Sequence, residues 1–73
     1  MIEILVDATI VYIDGVKERF DAVQLTPEKA IIGRIFREGD KEEFVESGFI
    51  SRRNIKKIYN GNKRKIQKMK QSS

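Results

Sequence analysis

The residues able to do chemistry in this chain are concentrated in "SRRNIKKIYNGNKRKIQKMK", residues 51 to 70, which holds nine Lys and Arg and no Asp or Glu. Cations at that density neutralise phosphates and release condensed counterions, giving sequence-independent affinity for nucleic acid that weakens steeply with salt. The candidate contacts are Arg52, Arg53, Lys56, Lys57, Lys63, Arg64, Lys65, Lys68 and Lys70, with Tyr59 as a stacking platform for a base. Against these stand plainer readings: a solvated charged face, and a core-edge position for Tyr59. Other chemistry has few carriers. With no His and no Cys, the commonest general bases, thiolate nucleophiles and soft metal ligands are missing. The carboxylate groups Asp14/Glu18 and Glu42/Glu43/Glu46 fall in turns or on exposed strand positions, where solvation explains them better than acid/base work or a hard-cation site. The five glycines, at 15, 33, 39, 48 and 61, match no phosphate-cradling spacing and suit turns and bulges. The expectation is a non-enzymatic binding module with no catalytic residues, metal or cofactor.

Charge is distributed unevenly along the chain. Residues 1 to 50 hold six Lys and Arg against eleven Asp and Glu, a net of −5, while residues 51 to 73 hold nine against none, a net of +9. An acidic body with a basic end points to a polyanionic partner, RNA or a ribonucleoprotein surface, or else to an acidic protein. At 73 residues the chain makes one domain near the lower size limit for folding without disulfides or metal, so association into a homo-oligomer is expected to help it. Its wealth of Lys, Glu, Arg and Ile resembles a thermophile-type surface. The apolar start "MIEILVDATIVYI" lacks a basic leader, includes Glu3 and Asp7, and is too short to span a bilayer. The expectation is a cytoplasmic protein with no membrane span.

The elements that must position the basic end read mainly as strands. Every even position from Ile2 to Tyr12 is apolar, a period-2 pattern rich in β-branched residues, and Asp14-Gly15 then marks a hairpin turn. The return run "VKERFDAVQLT" switches phase near Ala22, which suggests a bulge or a bend. "LTPEKAIIGRIFREGD" reads as a turn at Thr26-Pro27-Glu28 and a strand, with a helix over residues 27–38 as the alternative. "REGDK" is a second turn, and "EEFVESGFI" a strand interrupted at Ser47-Gly48. Ile55, Ile58 and Tyr59 recur at helix-like spacing, though a further strand fits as well. After Gly61 only Ile66 and Met69 are apolar, so a frayed helix or disorder is expected there.

The stretches "FDAVQLTPEKAII" and "FISRRNIKKI" resemble the first half of PH-like and GRAM-like domains, whose small antiparallel sheets mediate protein or lipid contacts. That resemblance covers about residues 8 to 58 and implies an adaptor that binds an acidic protein surface. A fainter one, carried by Asp14-Gly15, Phe20-Asp21 and Arg53-Asn54-Ile55, is to Sm-like barrels. Both imply a small, strongly bent antiparallel sheet, a barrel or roll. The chain is thus expected to be mainly β, with a single domain over residues 1–60 and a basic helical or disordered extension over residues 61–73.

Overall fold

Alternating apolar residues at the start of the chain form the strand around which everything else is arranged. The computed structural model describes residues 1–69. Six strands follow one another: β1 (Ile2–Tyr12), β2 (Lys17–Leu25), β3 (Lys29–Glu38), β4 (Lys41–Ser51), a 3₁₀ turn (Arg52–Asn54), β5 (Ile55–Tyr59) and β6 (Asn62–Lys68). They run in the order β2-β3-β4-β6-β1-β5, and a further β2–β1 pairing closes the ring. The fold is therefore mainly β, and residues 29–38, the helical alternative, form a strand.

The β1–β2 hairpin turns where expected. Tyr12 N–H donates to the Val16 carbonyl at 2.8 Å, and Gly15 N–H to the Tyr12 carbonyl at 2.9 Å. Gly15 has φ +92°, a conformation open to residues without a Cβ. The next turn is closed by Thr26, whose N–H donates to the Lys29 carbonyl at 2.9 Å. Its hydroxyl donates to that same oxygen and accepts from Lys29 N–H. The β3–β4 register shifts between Ile32 and Gly33, leaving Ser47 as the extra residue, which realises the expected interruption at Ser47-Gly48 as a β-bulge.

The even positions of β1 do not form one buried face, as a strict period of two implies. Ile2, Ile4 and Val6 join a core cluster with Ala22, Ile31, Ile35, Phe44 and Ile66. Leu5, Ala8, Ile10 and Tyr12 join a second one with Phe20, Val23, Ala30, Ile32, Ile50, Ile55 and Ile58. Side-chain alternation reverses at Asp7, which has φ 60°, a left-handed conformation that Asp tolerates better than most residues. β2 reverses with it, since Phe20 and Val23 share a cluster while Ala22 lies in the other. This is the phase switch near Ala22, made by a bend without any slip of the β1–β2 register.

The C-terminal segment requires a correction. Residues 62–68 are strand, not a helical or disordered extension, and the boundary expected at residue 60 does not separate them from the sheet. β6 pairs antiparallel with β1 from Ile2↔Ile66 to Val6↔Asn62. β5 pairs with the far half of the same edge, Thr9↔Tyr59 to Val11↔Lys57, in the same frame. β5 and β6 are in effect one long strand, kinked at Asn60 (φ 63°) on the level where β1 is kinked at Asp7. Local pattern cannot reveal this, because the hydrogen-bonding partner is a strand sixty residues away in sequence.

These two covers, together with β2 and β3, bury β1 within the single chain: Ile4, Ala8 and Ile10 are inaccessible and Val11 nearly so. β1 therefore needs no second copy of the chain to cover its apolar residues.

Tyr12 reports on the second cluster. Its phenol donates to Glu18 at 2.7 Å, and burial, that hydrogen bond and the charges of Glu18 and Asp14 push its pKa up to about 12. A raised folded-state pKa favours the protonated form, so this contribution is complete below about pH 10 and is lost as pH rises toward 12. Chemical denaturation across pH 9–12 is expected to show a decline in stability that Tyr12→Phe reduces. An identical decline in both proteins would exclude Tyr12 as its source.

Candidate nucleic-acid interface

The basic segment divides by side-chain direction. On β6, Arg64, Ile66 and Lys68 are spaced to share one side of the strand, and Glu42, Phe44 and Glu46 are spaced likewise on β4. Arg64 pairs with Glu42, Lys68 pairs with Glu46 at 3.2 Å and also reaches Gln24 at 3.3 Å, while Ile66 and Phe44 are buried in the same cluster. This charge–apolar–charge match closes the ring where β4 and β6 run parallel over only two register pairs, Glu43↔Gln67 and Phe44↔Lys68, with Met69 N–H adding a bond to the Phe44 carbonyl at 3.0 Å.

Two of the ten candidate contacts, Arg64 and Lys68, are thus engaged in holding the fold. So are two of the carboxylates that composition alone left as solvating groups. The hydrogen bond from Arg37 holds the Glu42 carboxyl below its usual range; partial burial opposes this and Arg64 adds to it. A depressed folded-state pKa contributes stability above the ordinary Glu range and loses it as pH falls through the folded value. The Glu42 part of the seam is accordingly weakened by acid.

The remaining cations face outward. Arg53, Lys56, Lys57, Lys63 and Lys65 are exposed, and among the described residues none of them has a carboxylate within ion-pair distance. Lys57 lies 5.5 Å from the centroid of the Tyr59 ring, and Tyr59 is half-buried, so its ring is only partly open to stacking. Lys70 lies outside the described residues. β5 is bonded to β1 through one edge and has no strand partner on the other among the described residues. Lys56 and Lys57 therefore lie on an edge strand, whereas Lys63 and Lys65, which alternate with Arg64 and Ile66, lie on the outer face of β6, a strand paired on both sides. Exposed lysines on an edge strand also discourage strand-to-strand aggregation, a structural role that requires no ligand.

Arg52 stands apart. Its Nε donates to the Thr26 carbonyl at 2.6 Å and its backbone N–H to the Glu28 carbonyl at 3.1 Å, so its guanidinium is docked on the Thr26–Lys29 turn. The 3₁₀ turn that carries it is tied to the first hairpin by Ile13 N–H, which donates to the Asn54 carbonyl at 3.0 Å. Beside it lies a groove of about 210 Å³ lined by Leu25, Arg52, Ile55, Lys56, Lys57 and Ile58. Sequence reading gave Ile55 and Ile58 a helix-like spacing with a strand as the other fit; they lie on β5, half-buried against the second cluster. It gave no role to Leu25, which the end of β2 brings to the same place. It also passed over Phe49, 61% exposed, with the Lys29 ammonium 4.7 Å from its ring centroid.

Among the described residues no group of three or more acidic or soft ligands is placed to hold a metal ion, and no helix is long and apolar enough to cross a membrane. No family model matches the chain, and neither does any curated protein or solved structure.

Proposed function

We propose that this protein is a small, non-catalytic module that binds nucleic acid through the outward-facing cations of β5 and β6, with little sequence preference. The observation that carries the reading is the sorting of the basic segment: Arg64 and Lys68 are matched to acids, whereas Arg53, Lys56, Lys57, Lys63 and Lys65 are not. Cations held on a rigid strand without carboxylate partners present a fixed positive field to phosphates. Many of the acidic residues lie on β4 and in the turns, while Glu3 on β1 stands opposite Lys65 in the β1–β6 register.

A second reading has its own support. The open edge of β5 offers unpaired backbone groups to an extended segment, and the lysines along it would attract an acidic one, as an adaptor of the kind the PH-like resemblance implies would require.

Titrating the protein with a 12-nucleotide RNA at two salt concentrations tests the first reading. The expected result is binding that weakens linearly in log–log form as salt rises, with the slope reduced by roughly 0.7 for each single-strand phosphate contact removed in Lys63→Ala and Lys65→Ala. Absence of binding at low salt would reject it and leave the acidic-segment adaptor.

A further inference from the structure

We propose that the groove beside the Arg52–Asn54 turn is a nucleotide subsite, which takes one unstacked base of a single-stranded chain against Leu25, Ile55 and Ile58, and an adjacent phosphate at Arg52. The inference rests on the nucleic-acid reading above and gives it a substrate form.

Composition is the first ground. The groove is lined by three aliphatic and three cationic residues and no acid. A surface that meets only a duplex exterior needs cations and has no use for an apolar floor. A single strand presents base faces as well as phosphates, and those faces lose water when they rest on apolar side chains. Leu25 is the exposed part of this floor, 40% accessible at the end of β2.

Arg52 supplies the second ground. With Nε held by the Thr26 carbonyl and its own N–H held by Glu28, the side chain is positioned before any ligand arrives. Among the described residues it pairs with no carboxylate, so its terminal nitrogens remain for an anion. A guanidinium fork matches a phosphate with two parallel hydrogen bonds, and immobilising it beforehand lowers the entropic cost of binding.

Continuity is the third ground. Lys56 and Lys57 line the groove and begin the row that continues at Lys63 and Lys65. A chain with one base in the groove therefore runs on over cations along the outward-facing side of β5 and β6. An acidic peptide would feel the same charges, but it does not combine a planar apolar face with a tetrahedral anion at every repeat.

The test uses the full chain and fluorescence anisotropy. The probes are a labelled 12-nucleotide oligouridine and a duplex of equal length, with inorganic polyphosphate and polyglutamate as unlabelled competitors. Leu25→Ala and Arg52→Lys are compared with the native protein after their melting temperatures have been recorded. Oligouridine is expected to bind at least about tenfold more tightly than duplex. Leu25→Ala should weaken oligouridine by about five- to tenfold, the lower range for one base contact, while leaving competition by polyphosphate unchanged. Arg52→Lys keeps the charge and loses the fork, and should weaken oligouridine similarly, so the proposal stays testable if Leu25→Ala folds poorly. Equal affinity for duplex, with both substitutions neutral, would overturn the subsite and leave the polyanion reading standing. Polyglutamate competing as well as unlabelled oligouridine would overturn it in favour of an acidic protein segment. Failure of every probe to bind at low salt would remove the polyanion reading itself.

Discussion

Ending the chain at Gly61 is expected to unfold the protein at room temperature. The shorter form loses β6 and with it five register pairs along β1, the buried Ile66 side chain, and the Arg64 and Lys68 pairs that join β6 to β4. Burial of one isoleucine is worth about 1.5–3 kcal/mol. Its removal also exposes parts of Ile4 and Phe44, which share its cluster, and opens a strand edge. A core of this size rarely supplies more than about 3–5 kcal/mol in total, so the combined loss exceeds the reserve. Circular dichroism of the truncated chain measures the effect, and Ile66→Ala, expected to cost about 2–5 kcal/mol, isolates the packing term. A cooperative transition retained by the chain ending at Gly61 would mean that β6 is an accessory and that the ring closes without it.

Gly33→Val should produce the other large effect, a loss of about 3 kcal/mol, at the upper end for overpacking. Gly33 sits at the register shift between β3 and β4. A Cβ at this position would collide with the Val45 carbonyl oxygen and stand 2.9 Å from the Phe44 ring. Neither neighbour can yield cheaply, since one is backbone and the other is fully buried. For a domain of this length the melting temperature should fall by roughly 12–24 °C. Gly48→Ala, one residue past the bulge on the facing strand, is the control. Its nearest neighbour would be Ile32 Cγ1 at 3.8 Å, an ordinary contact, and it should change stability by less than about 1 kcal/mol. If the two substitutions are equally mild, the β3–β4 approach at the bulge is looser than described and the ring has room to adjust.

Features set by a few neighbouring residues were legible before folding. The strand Ile2–Tyr12, the Asp14-Gly15 turn, the Thr26–Lys29 turn and the interruption at Ser47-Gly48 each depend on local backbone preference, and each is where its residues said it would be. The phase switch near Ala22 was legible too, although a bend makes it and not an inserted residue. By contrast, "NKRKIQKM" contains too few apolar residues for its periodicity to declare a strand. Its strand state comes from the free edge of β1, which no local window contains.

The sequence by itself determined that this is a small, mostly β chain with an acidic body, a basic end and no His or Cys, because composition and short-range patterning are properties of the chain alone. Only the tertiary structure decided which cations are available. Ring closure turns Arg64 and Lys68 toward Glu42 and Glu46 and leaves Lys56, Lys57, Lys63 and Lys65 exposed on the outside of β5 and β6, and it draws Leu25 beside Arg52 and Ile58. Those assignments depend on which side of each strand faces which neighbour. In β1 that choice is reversed at Asp7, by a backbone dihedral that the alternation of apolar residues does not record.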